Sequence, residues 1–258
     1  MELTPADREA LRRAKDLLEH PGLAARVSNL IGMPLEKAFE MLPERWSDAV
    51  TSATRRSLDT ALNVAMTTLD SRSMRSTDRL HKLAVAATGA GGGALGLVGL
   101  PLELPVSTTL MLRSIAEIAR NEGEELDRPE ARLACLEVFA LGGRATSDDA
   151  AESSYFLIRA ALARSITEAA QYVAQRSVAD QAAPALVRFI AQLTSRFGVT
   201  VSRKVAAQAV PVIGAAGGAA VNVMFIDHFQ DMARGHFTVR RLERIYSPAT
   251  VKAEYERL

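Results

Sequence analysis

The sequence predicts an all-α protein, a multi-helix bundle, and three observations carry that expectation. Aromatic residues make up only 5% of the chain and β-branched runs are scarce, while alanine and leucine dominate, a bias toward helices packed through small side chains. Apolar residues recur at helical spacing, as in Leu11, Ala14, Leu17 and Leu18 or in Leu186, Ile190, Leu193 and Phe197. Proline, glycine and short polar runs punctuate these segments where helices start and stop. At 258 residues with 48% hydrophobic content, the chain has ample material for a buried core.

The elements follow in order. Thr4-Pro5-Ala6-Asp7 reads as a helix start, with Thr4 as cap, Pro5 in the first turn and Asp7 on the positive end of the dipole; His20-Pro21-Gly22 ends that helix. Short helices are expected from Leu23 to Ile31, stopped by Gly32, and from Leu35 to Leu42, fenced by Pro34 and Pro43. A long helix should run from Glu44 to about Leu69, with Trp46 filling a core edge or an interface in preference to stacking on a ligand. Ser71 to Asp78 reads as a polar linker, and Asn121 to Pro129 as an acidic surface turn. Helices are then expected from Glu130 to Leu141, from Glu152 to Gln175 and from Pro184 to Phe197, the last stopped by Gly198. A basic helical tail from His236 to Leu258 should break at Ser247-Pro248. The domain expectation is one helical unit over 1–258, made of N-terminal helices (1–70), a first glycine-rich unit (79–143) and a second glycine-rich unit with its flanking helices (152–246).

Two glycine-rich stretches, expected as helical hairpins at the bundle's centre, organise this reading. Leu83 to Leu102 is twenty residues without a charge and Val205 to Ile226 is twenty-two, both long enough to cross a bilayer if helical. The first run holds seven strong apolar residues, which at roughly 0.3–0.6 kcal/mol each favour insertion by about 2–4 kcal/mol. Its glycines, Pro101 and the adjacent Glu103 oppose this, so autonomous spanning is marginal. Close packing or membrane contact is the expectation for Gly89, Gly91, Gly92, Gly93 and Gly96 in the first run and for Gly214, Gly217 and Gly218 in the second, several of them four apart. Cations precede each run: Arg72, Arg75, Arg79 and Lys82 for the first, Arg196, Arg203 and Lys204 for the second. Such collars suit an anionic cytoplasmic leaflet and equally the exposed face of a water-soluble helix. The two runs align if the first carries an extra apolar segment, Leu95 to Pro105; a duplication with an insertion and low-complexity coincidence are both open.

Composition narrows the functional classes. A formal net charge of +1 offers no field for a nucleic-acid backbone, so no nucleic-acid partner is expected. Cys135 is the single cysteine; set among Leu133, Leu136, Val138 and Phe139, it reads as a buried, inert thiol. The charged N-terminus lacks the order of a secretion signal, and the cytoplasm is the expected location. Gly91 to Gly96 formally fits a dinucleotide fingerprint, but an alanine-rich segment stands where that fingerprint needs a strand. No cofactor is predicted.

Polar residues in apolar settings supply the candidate catalytic or metal-ligating set: Glu103, Arg113, Asp227, His228 and Asp231. Asp227 and Asp231 stand one helical turn apart with His228 adjacent, so two carboxylates could join a metal site completed from elsewhere. The competing expectation is internal pairing, Glu103 or Asp227 with Arg113 or His228, because buried charges need partners. His20, His81 and His236 read as helix-end or basic-flank residues.

Several stretches resemble the EcsC protein family: His81-Lys82-Leu83 leading to Gly89-Ala90-Gly91-Gly92-Gly93, Gly99 to Pro105, Leu112 to Ala116, Ala134 to Gly143, and Val210 to Gly214 continuing through Asp227-His228-Phe229. The likeness spans about Pro21 to Tyr246. It implies a bacterial protein, cytosolic or membrane-associated, from a family named after the third member of an operon whose other members look like an ABC transporter's ATPase and membrane subunits. It brings no catalytic residues with it. The leading expectation is thus a non-enzymatic accessory protein on the cytoplasmic membrane surface or a membrane protein complex. A hydrolase-like or metal-binding enzyme and a hydrophobic-ligand carrier are the alternatives.

Overall fold

The computed structural model describes residues 2–19, 23–69, 99–142, 154–175, 183–210 and 214–258, the side chains of 154 and 214–217 excepted. Among them are ten α-helices and no strand, the all-α bundle the composition predicts. The helices are α1 (Pro5–Glu19), α2 (Leu23–Ile31), α3 (Leu35–Glu40), α4 (Trp46–Thr68) and α5 (Leu100–Asn121). They continue with α6 (Pro129–Leu141), α7 (Ser154–Gln175), α8 (Pro184–Gln208), α9 (Gly214–Tyr246) and α10 (Pro248–Arg257). No helix among the described residues is long and apolar enough to cross a membrane.

The axis of the described bundle is α6. Every residue from Leu133 to Leu141 is buried, the all-round burial of a helix with neighbours on every side. Those neighbours are α4, α5, α7, α8 and α9. Phe139 of α6 meets Phe197 of α8 at a ring-centroid distance of 4.9 Å and Phe229 of α9 at 5.3 Å. Phe225 joins Phe229 at 5.2 Å, so one aromatic knot ties three helices together. Each such contact adds about 0.5–1.5 kcal/mol beyond the area it buries.

The 33-residue α9 is the second organiser, packing on α1, α2, α5, α6, α8 and α10. It meets α1 at Gly235, where a β-carbon would stand 2.6 Å from Leu18 Cγ and 3.0 Å from the Ala14 carbonyl oxygen. The glycine therefore lets two helices cross at near backbone contact. The start of α1 is held as the sequence suggests: Thr4 Oγ1 accepts from the Asp7 amide at 3.2 Å and donates to the Asp7 carboxylate at 2.7 Å. Tyr246, from the end of α9, donates to the same carboxylate at 2.6 Å.

Gly198 does not end a helix, contrary to expectation; α8 runs through it to Gln208. The uncharged run Val205–Ile226 is divided between two helices, α8 closing at Gln208 and α9 opening at Gly214. α5 begins at Leu100, with Glu103 in its first turn. Of the glycines singled out in sequence, Gly89, Gly91, Gly92, Gly93 and Gly96 lie outside the described residues, Gly214 and Gly217 belong to the first turn of α9, and Gly218 is buried there.

Candidate functional site

The start of α5 carries the first candidate site, and it is turned inside out. Pro101 fixes the backbone in the first helical turn, and the helical register then sets adjacent side chains about 100° apart, enough to separate an inward from an outward face. The acidic one faces inward: Glu103 is 7% exposed, while Leu102 is 78% exposed and Val106, one turn on, 47% exposed. Inside, Lys204 Nζ donates to both Glu103 carboxylate oxygens, at 2.7 and 2.9 Å, and Asn222 Nδ2 donates to Oε1 at 3.0 Å. The Lys204 side chain is fully buried and its ammonium lies 5.1 Å from the Phe225 ring centre. Burial pushes the Lys204 ammonium below its ordinary pKa, and the Glu103 carboxylate opposes that shift. The cluster pins α5, α8 and α9 to one point.

Lys204 thus departs from the cation collar that the sequence suggests, and Arg113 is not the partner of Glu103. Arg113 is half-buried two to three turns further along α5 and pairs with neither Glu103 nor Asp227. The three candidates of α9 diverge. Asp227 faces Arg26 of α2 at 4.0 Å, and Asp231 accepts from Arg234 at 2.9 Å. His228 points inward, its Nε2–H donating to the Gly142 carbonyl at 3.0 Å. Burial, acting first, lowers the His228 pKa to about 4, so the ring is neutral. Gly142 is required there, since a β-carbon would lie 2.6 Å from His228 Nε2 and 2.7 Å from Phe229 Cε1. Among the described residues no group of three or more His, Cys, Asp or Glu side chains is placed to hold a metal ion.

A second buried polar cluster has no forerunner in the sequence reading. His236 lies fully buried in the middle of α9 rather than in a basic flank. Its Nδ1 is 3.1 Å from the Tyr155 hydroxyl of α7, and its Nε2 is 3.6 Å from the Glu137 carboxylate of α6. Burial raises the Glu137 pKa to about 7 against the pull of Arg159 and Arg240, and lowers that of His236, with the same two arginines adding to the effect. Arg159 stacks 5.4 Å from the Tyr155 ring centre and grips Glu243 through two hydrogen bonds of 2.8 and 2.9 Å. Outside this layer, Arg240 and Arg244 both bind Glu124, and Arg241 binds Glu122 at 2.7 Å. A tyrosine–histidine–glutamate chain can relay a proton, but these three residues are buried, at most 4% exposed. The only local signal for this cluster is the scatter of polar residues along α9. Their partners lie 81 or more residues away in sequence, beyond any short-range pattern.

Cys135 is buried, its thiol pushed up to about 12 chiefly by burial, which makes it inert. The third feature is a recess of about 530 Å³ between α4 and α8, walled by Trp46, Val50 and Val199 and floored by Gly198.

The EcsC protein family matches residues 6–242 of the chain. The chain belongs to the EcsC protein family. The match takes in both buried polar clusters of this EcsC family member, from Glu103 through Asn222 to His236. No curated protein and no solved structure matches the chain.

Proposed function

We propose that this EcsC family member is an accessory protein that docks peripherally on the inner face of the cytoplasmic membrane, or on a membrane complex of the ABC-transporter kind. The contact is the apolar end of α5 together with the glycine-rich segment that leads into it. One observation carries this reading: the first two turns of α5 bury the carboxylate and present Leu102, 78% exposed, and Val106, 47% exposed, to the outside. A helix end at a water-facing surface gains nothing from that polarity, whereas an end set against hydrocarbon does. The Lys204–Glu103–Asn222 cluster supports the reading because it fixes the turn in this orientation. Burying the area that these two side chains still expose is worth about 2–4 kcal/mol, enough for reversible association when anionic lipids add to it.

The role is binding rather than chemistry. Glu103, Asp227, His228 and Asp231 are each engaged with a partner inside this chain.

Flotation with vesicles of phosphatidylglycerol and phosphatidylethanolamine tests the proposal. The wild-type protein should float with the vesicles and the Leu102→Glu/Val106→Glu variant should remain at the bottom of the gradient. A wild-type protein that ignores the vesicles, or a variant that floats equally well, would end it.

A further inference from the structure

The α4/α8 recess contains a glycine that the fold does not explain. Gly198 lies inside a 25-residue helix, where glycine is unfavourable relative to alanine. Its backbone is not left-handed, and a β-carbon built on it meets nothing within 4 Å. Gly142 and Gly235 let another element approach; Gly198 leaves a hole. The hole is the floor of the recess of about 530 Å³, within the roughly 300–1,000 Å³ of small-molecule sites.

The lining states what would fit. Along α8 it runs from Ala191 to Ser202 and along α4 from Trp46 to Arg55, about 14–16 Å of helix on each side. Trp46 forms one wall, backed by Phe39 at 5.5 Å between ring centres. The hydroxyls of Thr194, Ser195 and Ser202 donate to their own helix at Ile190, Gln192 and Gly198. Their protons are committed, so the α8 wall offers no hydroxyl donor toward a ligand, while Ser47 and Thr51 of α4, both exposed, also line the recess. Among the described lining residues the one charge is Arg55; Asp59, one turn on, feels that charge but does not line the recess.

We infer that the recess binds a single-chain amphiphile, a slim alkyl chain laid over Gly198 with an anionic head group at Arg55. The occupant is an acyl chain with a carboxylate or phosphate head. The apolar walls take the chain, and the exposed cation sets the sign of the head. The inference is independent of membrane docking, and each can fail without the other.

Trp46 is the single tryptophan of the chain, so its emission reports on this recess alone. Dodecanoate, and dodecanol as its uncharged counterpart, are titrated below their aggregation limits while Trp46 fluorescence is followed, with native mass spectrometry to count bound molecules. The wild type should show a saturable change and a one-to-one adduct with dodecanoate. Gly198→Leu, whose side chain enters open space and improves helix propensity, should stay folded by circular dichroism and lose at least about tenfold in affinity for both probes. Arg55→Gln should weaken dodecanoate roughly fivefold and leave dodecanol unchanged. Absence of a saturable change in the wild type, or a folded Gly198→Leu protein that binds as well as wild type, would overturn the proposal. A dimer in place of the adduct would make the recess a self-association seam and overturn it too. Equal weakening of both probes by Arg55→Gln would remove the anionic head group from it.

Discussion

Replacing Glu103 by alanine strands Lys204, and the consequence can be worked through from the geometry. The lysine side chain is fully buried, its two short hydrogen bonds both go to Glu103, and Asn222 supplies a donor rather than an acceptor to the same carboxylate. Breaking a buried pair by removing one partner costs about 3–5 kcal/mol. In a chain of this size each kcal/mol moves the midpoint by about 2–4 °C, so Glu103→Ala should melt roughly 6–20 °C below wild type. The deficit should depend on pH. Burial already lowers the Lys204 pKa, and without Glu103 it falls further. Between that lowered folded value and the unfolded value of about 10.4, the unfolded chain binds the extra proton. Stability of the variant therefore rises with pH, and its deficit narrows by about 1.4 kcal/mol per unit between its own Lys204 pKa and that of wild type. Urea denaturation followed by circular dichroism at a series of pH values measures this directly. The apolar double variant Glu103→Leu/Lys204→Met should recover most of the loss, since a packed hydrophobic pair can replace a buried ion pair. A Glu103→Ala deficit below about 1 kcal/mol that is flat with pH would refute the reasoning.

Three further predictions can be tested by the same denaturation assay. Gly235→Ala should cost about 1–3 kcal/mol and make α1 the first segment cut in limited proteolysis, because its β-carbon would stand 3.0 Å from the Ala14 carbonyl oxygen. Glu137→Gln should change the pH profile: Glu137, raised to about 7, stabilises the fold below its unfolded pKa and loses that contribution as pH rises toward 7. The lowered pKa values of His228 and His236 act oppositely and outnumber it two to one, so from about pH 5 to 6.5 wild-type stability should climb with about half the slope of the variant. Gly198→Ala should gain up to about 1 kcal/mol from helix propensity, having no neighbour to displace.

Local signals in the sequence located most helices because they are local in origin. Thr4 and Pro5 start α1, Pro129 starts α6, and Gly32 with a positive φ of 69° follows α2 as expected. The misreadings share one cause, which is that tertiary packing outweighs a local rule. Gly198 breaks helices on average, yet α8 continues because Phe197 and Val201 on either side are fully buried. Lys204 looked like one more surface cation, and only a carboxylate 101 residues away explains its burial. His236 resembled part of a basic tail, while its partners Tyr155 and Glu137 come from α7 and α6. Glu103, Asp227, His228 and Asp231 were recognisable as polar residues in apolar company, but that they diverge could not be read from spacing along one helix. The polar layer emerges only when α5 to α9 are assembled.

The central claim is that the outward-facing end of α5 enters lipid, and its most direct test follows a probe attached there. Because Cys135 is buried with its thiol pushed up to about 12, Leu102→Cys supplies the one reactive thiol for a nitroxide label. Leu157→Cys, on the exposed face of α7, gives the control position. On addition of anionic vesicles, the label at 102 should become accessible to dissolved oxygen and shielded from an aqueous nickel complex, while the label at 157 remains in water. Equal aqueous exposure at both positions in the presence of vesicles would contradict the account.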